Sequence, residues 1–95
     1  MDNILSLLGL VYKAKKMLLG ESVLENINKV TFMFIASDAS NKTKERYLKK
    51  CSFYNIPYCT SYGSNELSKS IGKENVKIIG ISDNGFTKTI INKLN

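Results

Sequence analysis

Ser37 and Asp38 are the residues of this sequence best placed for acid chemistry, because they directly follow an apolar run at residues 32–36. Carboxylates at the end of a buried strand are typical of acidic active sites. A helix cap explains the same residues with fewer assumptions, since Ser and Asp side chains accept hydrogen bonds from the free N–H groups that start a helix. We therefore expect Asp38 or Ser40 to cap the helix that follows.

Cys51 and Cys59 are the other side chains with a chemistry of their own, and the sequence contains no His to serve as their base. They do not form a CxxC pair, so nucleophilic catalysis and zinc binding both have weak support. Neither GxxxxGK[ST] nor GxGxxG is present, which removes the phosphate-binding motifs. We predict two buried, reduced thiols and no enzyme activity, metal or cofactor. A nucleotide-binding or transferase domain would rest on fold class alone.

Two short polar loops carry residues suited to binding. Backbone N–H groups at a helix start can hold phosphate, and a neighbouring carboxylate can accept from the N–H edge of a guanine. A loop tyrosine can stack on a base or a ribose. A capped helix and an ordinary turn explain both loops equally well, so residue types leave the two interpretations open. The first loop is Gly20, Glu21 and Ser22, preceded by Lys13, Lys15 and Lys16; the second is Ser61, Tyr62, Gly63 and Ser64.

The charge of the chain indicates a polyanionic partner. The 14 Lys and Arg residues, 13 of them Lys, exceed the 8 Asp and Glu residues and give a net charge of +6. Such an excess on a small domain favours nucleic acid, although it also serves solubility. We interpret the lysine run within residues 42–50 as a solvated helix surface.

The elements that position these residues alternate between helix and strand. Asp2 is expected to cap a first helix that ends near Ala14. A third helix covers about residues 41–54, Ser64 or Asn65 caps a fourth, and Asp83 caps the last. Short strands are expected at residues 17–19, 32–36, 58–60 and 76–81. This order predicts an α/β fold, a three-layer α/β/α sandwich with a small mixed sheet of about four strands, in one domain of residues 1–95.

Apolar spacing predicts which helix faces point inward. Gly9 inside the first helix indicates close packing at that point. The apolar residues 4–11 have no basic segment before them and no small-residue cleavage site after them, so we assign them to the mature domain. A cytoplasmic protein without membrane contact is expected. The predicted inward residues are Tyr47, Leu48, Cys51 and Tyr54 in the third helix and Phe86, Ile90, Ile91 and Leu94 in the last.

Several segments together carry a resemblance to a known family. They are Leu8-Gly9-Leu10, Lys13-Ala14-Lys15-Lys16, Leu19-Gly20-Glu21, Phe34-Ile35-Ala36-Ser37-Asp38-Ala39-Ser40, Thr43-Lys44, Lys50-Cys51, Tyr54-Asn55-Ile56-Pro57, Glu66-Leu67-Ser68-Lys69-Ser70-Ile71-Gly72-Lys73 and Asp83-x-Gly85-Phe86. In this order the sequence resembles the small kink-turn RNA-binding ribosomal proteins, specifically their bacterial YlxQ-like branch. The likeness covers nearly the whole chain.

The resemblance implies a domain that binds structured RNA, is associated with ribosomal RNA or the ribosome, acts as a monomer and performs no chemistry. In the family, the start of the second helix contacts guanines of tandem G·A pairs, and the loop before the fourth helix contacts bases flipped out of the bulge. The lysines would contact phosphates. Carried over, the RNA-binding residues are Gly20, Glu21, Ser22 and Asn26 at the first site, Ser61, Tyr62 and Gly63 at the second, and Lys13, Lys15 and Lys16.

The first site departs from the motif of the strongest binders, which is Gly-x-Asn-Glu followed by a Lys three residues on. The matching positions here are Gly20, Ser22, Val23 and Asn26. The second helix is also about three residues shorter than usual. An alternative is therefore a protein-interaction module on the same fold that has lost specific RNA recognition.

Overall fold

The secondary structure alternates between helices and strands as the sequence predicts. A computed structural model describes residues 2–95; Met1, which the predicted domain includes, lies outside the described residues. Over that range no helix is both long and apolar enough to cross a membrane. The elements are α1 (Asn3–Lys13), β1 (Met17–Leu19), α2 (Glu21–Glu25), a 3₁₀ turn (Ile27–Lys29), β2 (Phe32–Ile35), α3 (Asn41–Tyr54), β3 (Tyr58–Cys59), α4 (Ser64–Ile71), β4 (Ile78–Ile81) and α5 (Asn84–Leu94).

The sheet has four strands in the order β1-β4-β2-β3. Strand β4 runs antiparallel to both of its neighbours, and β3 runs parallel to β2, so the sheet is mixed. Phe34 pairs with Ile79 at the centre. Every residue of β2 and β4 is buried, as expected for strands covered on both faces.

Alternate residues of β2 point to opposite faces of the sheet and into two separate cores. Phe32 and Phe34 pack with α1, α4 and α5, while Met33 and Ile35 pack with α2 and α3. This alternation is the period-two geometry of a strand. It confirms the three-layer α/β/α sandwich.

Helix caps agree with the sequence at most positions. The side chains of Asp2, Ser40 and Asp83 accept from backbone N–H groups in the first turns of α1, α3 and α5. The expectation for α4 is wrong, because its cap is Gly63 rather than Ser64 or Asn65. Asp38 does not cap α3; its carboxylate reaches α4 instead.

Two of the predicted inward faces extend one turn too far. Tyr54 is 38% exposed and Leu94 is 40% exposed, each at the last turn of its helix. The close packing predicted at Gly9 is confirmed, since a methyl group on it would lie 3.0 Å from the Ser70 carbonyl oxygen of α4.

Candidate nucleic-acid interface

The first predicted loop, residues 20–22, is fixed at one end of the sheet by backbone hydrogen bonds. The N–H of Gly20 donates to the carbonyl of Ile78 at the start of β4 (3.3 Å). The Gly20 carbonyl accepts from the N–H of Val23 (3.0 Å) and from the hydroxyl of Tyr47 on α3 (3.5 Å). Gly20 has φ 54° and ψ −129°, a conformation that residues with a side chain rarely adopt. Glycine at this position therefore sets the direction in which α2 begins.

The second predicted loop, residues 61–63, is fixed at the same level of the fold. The N–H of Ser37 donates to the carbonyl of Tyr62 (2.8 Å). The N–H of Gly63 donates to the carboxylate of Glu66 (3.1 Å), which is one half of a capping box. Glycine has no side chain to supply the other half. The loop is therefore held from both its strand side and its helix side.

Asp38, Ser64 and Lys77 form a polar network beside the second loop. The Asp38 carboxylate accepts from the Ser64 N–H (2.8 Å) and from the Ser64 hydroxyl (2.7 Å). Lys77 Nζ lies 3.2 Å from Ser64 Oγ and 3.6 Å from Asp38 Oδ2. The Ser64 hydroxyl and N–H lower the pKa of Asp38 to about 2, with the Lys77 charge adding to the effect. Asp38 is thus a fixed anion that orients Lys77 and starts α4.

The start of β4 brings the two loops together. Ile78 accepts from Gly20 on one side, and the Lys77 carbonyl accepts from the Ala36 N–H on the other (2.8 Å). Ser37, the next residue, donates its N–H to the carbonyl of Tyr62 in the second loop. Both loops therefore lie at the same end of the sheet, with Lys77 between them.

Lys73 and Lys77, which are not among the residues predicted from sequence, belong to this surface. A cavity of about 430 Å³ beside Gly20 is lined by the connection between α4 and β4, residues 73–78. Both lysines are exposed. The sequence of this connection contains no binding motif. The one feature that could have indicated a basic residue here is Lys73, directly after the helix-ending Gly72.

The three lysines predicted from sequence lie at the other end of β1. The Lys16 carbonyl accepts from the N–H of Ser82, just beyond β4 (2.9 Å). Strand β1 has three residues, so this end is about 10 Å from the first loop. Lys73 connects the two, because its Nζ lies 5.7 Å from the Tyr12 ring centroid and Tyr12 lines a cavity with two of the three lysines. The three lysines are Lys13, Lys15 and Lys16.

The Tyr62 side chain does not take the orientation expected for stacking on a base. Its ring centroid lies 6.2 Å from that of Phe34, and its hydroxyl donates to Asp2 Oδ1 (3.0 Å). Burial and this carboxylate raise the pKa of Tyr62 to about 12. The ring thus anchors the loop to the start of α1, and Ser61 is its exposed residue.

Glu21 and Asn26 differ in how accessible their side chains are. The Glu21 side chain is 72% exposed and pairs with Arg46 of α3, with 3.4 Å between Oε1 and Nη1. Asn26 follows the last residue of α2, and its side-chain N–H donates back to the Ser22 carbonyl (3.0 Å). Glu21 is therefore available to a ligand, whereas Asn26 closes its own helix.

The cysteines are buried and free, as predicted. Burial raises the pKa of Cys51 to about 11, so its thiol stays protonated at neutral pH. Within residues 2–95, no three His, Cys, Asp or Glu side chains gather closely enough to hold a metal ion.

These features define a class of protein: a three-layer α/β/α domain that presents two fixed loops at one sheet end and a basic strip along its edge strand. No family model matches the sequence. Two curated relatives do. RNA-binding protein YlxQ of Enterococcus faecium is 37% identical over 87 residues, which is 88% of this chain and 84% of that protein. RNA-binding protein YlxQ of Bacillus subtilis (strain 168) is 33% identical over 91 residues, or 93% and 91% of the two chains.

Two solved structures share the fold. A Bacillus halodurans protein described as having unknown function superposes with a TM-score of 0.93 at 34% identity, over 99% of this chain and 98% of that one. The Giardia lamblia 15.5 kD RNA-binding protein shares the fold, with a TM-score of 0.78 at 17% identity over 96% and 81% of the chains. The relatives confirm the resemblance, and the chain belongs to the YlxQ family.

Proposed function

We propose that this protein is a non-enzymatic RNA-binding protein of the kink-turn-binding type that recognises structured RNA. The observation that carries the proposal is the position of both predicted loops at one end of the sheet, with Lys77 between them. The two YlxQ relatives support it, since both are named RNA-binding proteins.

Affinity and specificity come from different parts of this surface. Lysines beside β1 and in the connection between α4 and β4 contact phosphates, which positions the RNA without reading its sequence. The exposed Glu21 carboxylate accepts from a guanine edge, and Ser61 with the Gly63 backbone meets bases that leave the helix. Tyr62 positions the second loop instead of stacking. The phosphate-contacting lysines are Lys13, Lys15, Lys16, Lys73 and Lys77.

A gel shift with two RNAs of equal length tests the proposal. One contains a kink-turn and the other is a plain duplex, and each is measured at low and moderate salt. We expect tighter binding to the kinked RNA at both salt concentrations. Equal binding to both RNAs that disappears at moderate salt would contradict the proposal, because it would show attraction by the +6 charge alone.

Replacement of Glu21 tests the first loop directly. Glu21→Ala removes a charged hydrogen-bond acceptor, which is worth about 1.5–3 kcal/mol, or roughly ten- to a hundredfold in affinity for the kinked RNA. Its ion pair with Arg46 is exposed, so the melting temperature should change little. Glu25→Ala, at the far end of α2, is the matched control. Equal affinities of the two variants would remove Glu21 from the site.

The alternative function is a protein-interaction module that has lost specific RNA recognition. Its support is that Glu21 already has a partner in Arg46 and that Asn26 is bonded to its own helix. Purification of the protein from cells after nuclease treatment separates the two functions. A stoichiometric protein partner that survives nuclease, together with no preference for kinked RNA, would replace our proposal with this alternative.

The proposal also concerns where the protein acts. We expect a cytoplasmic monomer that binds ribosomal RNA or the ribosome. Sedimentation of a lysate through a sucrose gradient should place the protein with ribosomal particles at low salt and at the top of the gradient at high salt. Sedimentation of the purified protein at a mass other than 10.7 kDa would contradict the monomer.

A further inference from the structure

A second basic surface runs along the outer side of α3, and we call it the α3 groove. It is an open groove of about 730 Å³. Residues three and four positions apart share one face of a helix, which explains why the sequence places its basic residues in one stripe. One carboxylate, from Glu45, also lines the groove. The remaining lining residues are Lys42, Arg46, Lys49, Lys50, Phe53 and Tyr54.

Phe53 is the unusual member of this surface. It is 77% exposed, although apolar side chains of this size are normally buried. Its ring meets the Tyr54 ring edge-on, with centroids 4.9 Å apart and 76° between the planes. The contact restricts the Phe53 ring and leaves most of it open to solvent. A single exposed aromatic needs no explanation, but this one lies in line with four cations.

The α3 groove adjoins the candidate interface. Arg46 lines the groove and pairs with Glu21 of the first loop at 3.4 Å. Phe53 follows Arg46 by seven residues, which is about 10 Å along the helix axis. Three nucleotides at the stacked spacing of about 3.4 Å per strand cover that distance. A strand that leaves the first loop can therefore reach Phe53.

We propose that the α3 groove binds a single-stranded RNA segment that continues from the structured element bound at the sheet end. This inference rests on the proposed function. Four cations against one carboxylate attract an anionic ligand, and an exposed aromatic ring beside them can stack on a flat group. A nucleotide strand supplies both, and the combination is typical of single-strand binding surfaces. An acidic peptide supplies the charge alone. The lysine stripe of α3 is then more than a solvated face.

The test compares a kink-turn RNA with the same RNA carrying eight unpaired uridines, placed in turn at its 5′ and its 3′ end. Fluorescence anisotropy at 0.1 M salt measures each affinity. One of the extensions should tighten binding by about fivefold or more, which corresponds to one stacked base. Phe53→Ala should abolish this gain and leave the affinity for the unextended RNA unchanged, and Phe53→Tyr should retain it. Lys49→Ala should reduce the gain and its dependence on salt.

Matched controls and a second probe keep the inference falsifiable. Leu10→Ala and Lys88→Ala change an exposed apolar and an exposed basic residue on helices of the opposite layer. The inference is overturned if neither extension tightens binding or if Leu10→Ala loses as much of the gain as Phe53→Ala. The second probe is a competition in which polyglutamate displaces free octauridine. The inference is also overturned if displacement is equally easy for Phe53→Ala and for the unchanged protein, because Phe53 would then contribute nothing to binding of the strand. If the kink-turn RNA does not bind at all, the proposed function fails. Binding of free octauridine that depends on Phe53 would then still show whether the α3 groove holds single-stranded RNA.

Discussion

Lys77 offers the most direct test of the proposed RNA contact with this surface. Its backbone lies between the two loops, and its ammonium group is 3.2 Å from Ser64 Oγ and 3.6 Å from Asp38 Oδ2, beside the second loop. Lys77→Met keeps most of the apolar stem and removes the charge. The change should weaken RNA binding while the domain remains folded, and the size of both effects follows from the geometry.

The loss of affinity is set by one phosphate contact. Each phosphate neutralised by a lysine contributes about 0.7 to 0.9 to the slope of log K against log salt. Over the tenfold interval from 1 M to 0.1 M salt, one contact therefore contributes roughly five- to eightfold in affinity. The Lys77 and Asp38 side chains are 45% and 55% exposed, so their ion pair contributes only about 0–1 kcal/mol to stability. The melting temperature should fall by less than about 8 °C.

Fluorescence anisotropy from 0.1 to 1 M salt, combined with thermal melts, measures both quantities. We expect the Lys77→Met slope to be lower by just under one, with the affinities of the two proteins converging at high salt. Lys88→Met, on α5, is the matched control and should keep the original slope. If both variants show the same slope, Lys77 does not contact phosphate and the assignment of the sheet end is wrong.

Two further predictions concern the fold that holds the site. A methyl group on Gly80 would lie 3.2–3.3 Å from the methyl groups of Val23 and Val30, so Gly80→Ala should lower the free energy of unfolding by about 1–3 kcal/mol in urea denaturation. Asp38 has a pKa of about 2, below the ordinary value of 3.8, so its contribution to stability is present above that ordinary value and is lost as the pH falls towards 2. Asp38→Asn should flatten this part of the pH profile, and a profile that matches the unchanged protein would refute the network around Ser64.

The fold could be predicted because its signals are local. Alternation of apolar segments predicted the number and order of the elements. Three cap residues, Asp2, Ser40 and Asp83, indicated where helices begin. The two short edge strands, β1 and β3, could be predicted from their apolar residues and the turns beside them. Local chemistry was sufficient at these three caps, but at α4 it indicated Ser64 or Asn65 where the cap is Gly63.

The site was predicted less completely because its contacts join distant segments. Asp38 bonds Ser64, 26 positions away, and no local pattern distinguishes that partner from a cap three residues on. Lys73 and Lys77 reach the first loop because β4 lies beside β1 in the sheet. Strand order is a property of the assembled sheet, so a lysine between α4 and β4 looks like any other surface charge in the sequence.

Side-chain direction was the other quantity that the sequence did not determine. From the sequence, Tyr62 could either stack on a base or belong to an ordinary turn. The Asp2 carboxylate, which also caps α1, and the Phe34 ring in β2 hold the Tyr62 side chain inward. A tyrosine has an apolar ring and a polar end, and the choice between ligand and scaffold depends on which partners lie within reach.

The Glu21–Arg46 ion pair connects the two surfaces described above. Both side chains are more than half exposed, so their attraction contributes at most about 1 kcal/mol and a ligand can replace it at small cost. A guanine that takes the Glu21 carboxylate frees the Arg46 guanidinium, which already lines the α3 groove. The groove thereby gains an unpaired cation at the end nearest the first loop. If both proposals hold, binding at the sheet end would prepare the α3 groove for the next phosphates of the same strand, and the two surfaces are expected to act on one RNA molecule.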